Sequence, residues 1–103
     1  MPRNRKEEIL LFDYYGDLLT DHQKNVLDEY FNEDLSMNEI ADNLNISKSA
    51  VQDLIKRSIK QMKEYEDKLN LIKKDIKINN ILDKMENENE LLNKYAKKIK
   101  EIL

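Results

Sequence analysis

The chain predicts an all-α fold carrying a helix-turn-helix without a wing, and three observations lead there. Residues 36–57 read SMNEIADNLNISKSAVQDLIKR, with cap, apolar, small and turn positions at the spacing of two short helices joined by a tight corner. Only one Gly and one Pro punctuate 103 residues. Elsewhere the apolar residues recur three and four apart, the period of a helix face. The length allows one small domain and an appended element. We therefore expect a helix-turn-helix body of three to four helices over 1–67. Long C-terminal helices over 68–103 would pack on the body or on a partner.

Taken in order, the first helix is expected from about Lys6 to Leu19, with Ile9, Phe12, Tyr15, Leu18 and Leu19 on its apolar face. Gly16 marks either a close approach or a weak end. Thr20 and Gln23 form a capping box that opens a second helix, Asp21 to Asn32, turned inward by Val26, Leu27, Tyr30 and Phe31. Asn32-Glu33-Asp34 makes the connection. Ser36 and Glu39 repeat the capping box, and Met37, Ile40, Ala41 and Leu44 share a face. Asn45 stands where the chain must turn left-handed, a conformation asparagine tolerates. Ile46 fills the corner and Ser47 caps the second helix. Ala50, Val51, Leu54 and Ile55 are expected on its inner side. This helix should run well past Arg57, because Ile59, Met62, Tyr65, Leu69, Ile72 and Ile76 keep the spacing.

The last third carries a second pattern. Ile78, Met85, Leu92 and Ile99 are seven apart, with Leu82, Asn89, Ala96 and Leu103 as the companion series. A heptad seam with one polar Asn is a device for setting register between chains. Ile78, Leu82, Met85, Leu92 and Ile99 are thus candidate oligomer or partner contacts, and folding back within the chain is the competing reading. A break is expected near Glu86–Asn89, where Asn87 would cap a final helix with Glu90 three residues on.

Charge divides the chain. Its formal net charge is −3, but residues 1–47 hold four Lys/Arg against eleven Asp/Glu, whereas 68–103 hold nine against six. Acid therefore precedes the recognition helix, which offers Lys48, Ser49, Gln52, Lys56, Arg57 and Lys60 outward, with Lys63 beyond. Gln52 suits adenine and Arg57 suits guanine or phosphate, while Asp53 on the same side would repel a phosphate backbone. A nucleic-acid interface and a merely solvated lysine face are both open.

Other chemistries find little support. His22 stands without a second ligand nearby, cysteine is absent, and no glycine-rich phosphate loop or nucleophile motif is present. No enzymatic activity, metal or cofactor is expected. No apolar run reaches the roughly 18 residues of a membrane span, so no membrane insertion is expected, and no signal peptide is evident.

The run FDYYGDLLTDHQKNVLDEYFNEDLSMNEIADNLNISKSAVQDLIKRSIKQMKEYEDKL resembles the small bacterial YlxM/p13-like family. The likeness covers roughly residues 8–86. It is sharpest at Tyr14-Tyr15…Leu18-Leu19-Thr20, at Asp34-Leu35-Ser36…Glu39-Ile40-Ala41, and at Ser47…Ala50-Val51…Ile55-Lys56-Arg57. A more distant likeness joins it to the DNA-reading fourth region of sigma factors, so the body is expected to be sigma region four-like. The resemblance implies a cytoplasmic helical protein of the signal recognition particle pathway, assisting that particle's GTPase, its RNA or both, and self-associating as a homodimer. A dimeric DNA-binding transcription regulator is the alternative it leaves open.

Overall fold

The computed structural model describes residues 4–103, which divide into two compact units, one ending at Leu69 and the other spanning Asn70–Leu103. The first unit contains α1 (Arg5–Tyr15), a 3-10 turn (Gly16–Leu18), α2 (Asp21–Phe31), α3 (Met37–Leu44) and α4 (Lys48–Leu69). The second contains α5 (Leu71–Glu86) and α6 (Glu90–Ile102).

Helix α1 starts where the Asn4 side chain accepts a hydrogen bond from the Glu7 amide at 3.1 Å. It stops at Tyr15, earlier than its apolar pattern suggests. Gly16 stands at the stop: a Cβ there would lie 3.0 Å from the Phe12 ring, so the backbone passes directly against that ring, and the chain continues as a 3-10 turn. The turn carries Leu18 out to solvent, at 52% exposure, and returns Leu19 to the core.

Both capping boxes form. Thr20 Oγ1 accepts from the Gln23 amide at 3.2 Å, and Ser36 Oγ accepts from the Glu39 amide at 3.1 Å. In each, the third residue's side chain reaches back to the cap amide. Helix α2 buries Val26, Leu27 and Phe31. Arg5 fastens the start of α1 to the end of α2: its guanidinium lies 4.8 Å from the Tyr30 ring centre and donates to the Tyr30 carbonyl at 2.9 Å. Asp17 also pairs with Lys24, whose hydrogen bond and charge hold the aspartate below the ordinary carboxylate range. That contribution is present above the unfolded carboxylate value and disappears as pH falls through the lower folded one. Both side chains are exposed, so the effect is small.

Helix α4 packs against α1, α2 and α3 and is the spine of this unit. Its 22 residues extend about 33 Å. Val51, Ile55, Ser58, Ile59 and Met62 form its buried stripe. Ala50 does not join them: it is exposed, about 100° round the helix from Val51, and Leu54 is only half-buried. Near the far end, Tyr15 is fully buried, stacked on Tyr65 at 6.0 Å, and its hydroxyl donates to Glu66 Oε1 at 2.5 Å.

Ser58 is the polar exception in this stripe. It is 0% exposed, and its hydroxyl oxygen has no hydrogen-bond partner. Ser58→Ala removes a desolvated donor and improves helix propensity, so it is expected to stabilise the fold by about 1 kcal/mol. The measurement is a higher urea midpoint at unchanged m value. A lower midpoint would contradict the assignment of that oxygen as unsatisfied.

The apolar spacing that suggested one helix through Ile76 is interrupted. Asn70 adopts φ 54°, ending α4 at Leu69 and opening α5 at Leu71. No glycine or proline marks this break; asparagine alone supplies the left-handed residue.

In the second unit α5 and α6 fold back on one another. Asn87 and Glu88 make the turn, and Asn89, not Asn87, caps α6 by accepting from the Leu92 amide at 3.0 Å. The cap takes Asn89 out of helical geometry, so the seven-residue seam is not one continuous stripe. Leu82 and Ala96 are buried and Leu92 is half-buried between the helices. Lys100 braces the pair, with Nζ 2.6 Å from Asp83 Oδ1 and 3.2 Å from Glu86 Oε1. Those hydrogen bonds raise its pKa above the lysine value of 10.5, so the brace is intact below that value and is lost as pH rises through the raised one.

Candidate nucleic-acid interface

The corner of the helix-turn-helix fixes which side of α4 faces outward. Asn45 takes φ 58°, ψ 42°, and its amide closes on the carbonyls of Ala41 and Asp42. Ile46 donates to the Ala41 carbonyl at 3.0 Å, and Ser47 Oγ accepts from the Ala50 amide at 3.0 Å. Helix α4 therefore begins capped, with its buried stripe turned to the body. Lys48, Ser49, Gln52, Lys56, Arg57 and Lys60 are all exposed.

They are not one cluster. Gln52, Lys56 and Lys60 are four residues apart and drift only about 40° per step, so they share a strip. Lys63 falls on the same strip. Together they line a groove of about 440 Å³, completed by Ile59 of the same helix, Met37 of α3 and Glu8 of α1. Ile59 and Glu8 are each 6% exposed and form its floor, with the half-buried Met37 at the side. Lys48 and Ser49 lie at the start of the helix and do not line it.

Arg57 faces elsewhere. It stands about 100° round from Lys56 and lines a separate cleft of about 290 Å³ with Gln23, Leu54 and Gln61. There Gln23 donates to Gln61 at 3.1 Å, and Gln61 donates to the Tyr65 hydroxyl at 2.9 Å. The Arg57 guanidinium lies 2.7 Å from Asp53 Oδ2, one turn before it on the helix. Asp53 thus does more than repel an approaching backbone: it also pairs with the guanidinium of Arg57. Both side chains are largely exposed, so the pair contributes little to stability and its main effect is on surface charge.

The groove combines three helices, and that explains what sequence reasoning missed. Glu8 and Met37 are remote from the lysines in sequence, and no local spacing connects them. The sequence reading put Gln52, Lys56, Lys60 and Lys63 outward but grouped Lys48, Ser49 and Arg57 with them, which line no part of this groove.

The remaining candidates stand apart from it. Ile78 and Ile99 are exposed on the hairpin unit, Met85 and Leu92 are half-buried, and Leu82 is buried. His22 is exposed in the first turn of α2. Among the described residues, no three His, Cys, Asp or Glu side chains converge to hold a metal ion, and no helix is long and apolar enough to cross a membrane.

The chain matches one family model over residues 3–102, described as "UPF0122: Putative helix-turn-helix protein, YlxM / p13 like". A UPF0122 protein of Clostridium perfringens is 45% identical over 108 residues, covering 97% of this chain and 96% of that one. A UPF0122 protein of Clostridium kluyveri is 53% identical over 72 residues, with 68% and 65% covered. One from Malacoplasma penetrans is 47% identical over 86 residues, with 74% and 79% covered.

Proposed function

Because the chain belongs to the UPF0122 family of YlxM/p13-like helix-turn-helix proteins, we propose that it is a cytoplasmic accessory protein of the signal recognition particle, binding RNA on α4 and modulating the particle's GTPase. The observation that carries this reading is the strip Gln52, Lys56, Lys60 and Lys63 around the groove. Phosphate binding needs cations free to displace counterions, and this strip supplies three lysines on one side of α4. The arginine suited to reading a guanine edge in duplex DNA is instead paired with Asp53. The acidic residues of 1–47 further disfavour the long phosphate track of a duplex and suit a smaller footprint.

The hairpin at the C-terminal end is the surface for protein contact. Ile81, Leu91, Tyr95, Ile99 and Ile102 leave large apolar side chains exposed on two helices that bury only Leu82 and Ala96 fully. A second copy of the chain covers them in this reading. Sedimentation is expected to give the mass of two chains for the wild type and of one for Tyr95→Glu with Ile99→Glu. A one-chain mass for the wild type would rule out self-association.

A dimeric DNA-binding regulator is the second reading, favoured by the capped start of α4, where Lys48, Ser49 and Gln52 project from the helix as a recognition helix requires. The GTPase decides the role. Turnover by the particle's GTPase, with its RNA bound, is expected to change when this protein is added, and to change less with Lys56→Glu and Lys60→Glu. Turnover unaffected at saturating protein, with specific retention of a palindromic duplex, would favour the regulator.

A further inference from the structure

Resting on the RNA reading above, we infer that the groove between α1, α3 and α4 receives a single unpaired nucleotide, its base on the floor and its phosphates on the lysine rim. A duplex presents only phosphates and sugars at its outer edge, so it meets the rim of such a groove and leaves the floor uncovered. An unpaired nucleotide carries an apolar, flat base and an anion within one unit, and the groove offers a counterpart to each.

The floor consists of Ile59 and the buried Glu8, with Met37 alongside. The thioether of Met37 is a polarisable surface that packs well against an aromatic ring. A carboxylate has about four lone-pair sites, enough to accept from a base amino group beside the partner Glu8 already has. Its negative charge also repels phosphate from the floor, which orients the nucleotide with its phosphates outward. At the rim, Lys56, Lys60 and Lys63 succeed one another along the helix at rises of about 6 and then 4.5 Å, so two consecutive phosphates of an extended strand each meet an ammonium group. A groove of about 440 Å³ has room for a base with its ribose.

The test uses three RNAs with the full chain: a duplex with one unpaired nucleotide, the same duplex with that nucleotide abasic, and the fully paired duplex. The first is expected to bind at least about tenfold more tightly than the other two. Met37→Glu, which places a second carboxylate beside the floor at a half-buried helix start, should bring the three within about twofold, whereas Met37→Leu should keep the preference. Thermal unfolding of both variants establishes that the fold persists. Equal affinity for all three RNAs with wild-type protein would overturn this inference and leave the RNA reading standing. No RNA bound, with an acidic leucine-bearing peptide bound in its place, would overturn both and make the groove a protein-docking site.

Discussion

Tyr15→Ala is expected to cost about 3–5 kcal/mol of stability, the range for deleting a large buried aromatic side chain. Tyr15 is fully buried at the end of α1, stacks on Tyr65 and donates to Glu66, so it joins α1 to the far half of α4. Its loss leaves a cavity at the point where α1 turns away. Tyr15→Phe separates the two contributions: the ring stays, and only the hydrogen bond to a carboxylate is lost. That change should cost about 1.5–3 kcal/mol, at the low end because Glu66 is half-buried and water reaches it. Chemical unfolding of both variants checks the pair. A Tyr15→Ala cost below that of Tyr15→Phe would contradict the packing described.

Exchanging Lys56 and Lys60 together for Glu is expected to weaken RNA binding by about a hundredfold at low salt, since two attractions become repulsions. With Ala at both positions, the slope of log affinity against log salt should fall by about 1.4–1.8, that is, 0.7–0.9 for each phosphate no longer neutralised. Arg57→Ala is the internal control. Because Arg57 lines the other cleft and is held by Asp53, its loss should change RNA affinity by less than about twofold. If Arg57 proves as important as the lysines, the RNA contacts are not confined to the strip and extend to the other side of α4.

Local chemistry made the body legible. Thr20 with Gln23, Ser36 with Glu39, Asn45 and Ser47 all act within four residues of themselves, and each forms as its spacing suggests. The departures arose where the pattern of apolar residues carries no mark of a backbone change or of the core's position. Helix α1 gives way to a 3-10 turn at Gly16, against the Phe12 ring, and the position of the core leaves Ala50 outside. Asn70 interrupts a stripe whose apolar period continues unaltered across it, because a single left-handed residue ends the helix without changing composition. Asn87 was the expected α6 cap because Glu90 stands three residues on, but the turn spans Asn87 and Glu88 and gives that role to Asn89. In the interface, Asp53 and Arg57 are four apart and their pairing was readable, yet the acid stood out as a repulsive charge and its partner did not. The groove floor could not be read, since Glu8 and Met37 reach α4 only through the packing of α1 and α3.

The most direct test of RNA as the ligand of α4 is a competition titration. Labelled signal recognition particle RNA is bound to the protein and challenged with unlabelled RNA or with random duplex DNA at matched nucleotide concentration and fixed salt. Displacement by RNA at parity, with duplex DNA effective only in large excess, is the predicted result. Displacement by duplex DNA at parity, abolished by Arg57→Ala, would contradict it and return α4 to the role of a DNA-reading helix.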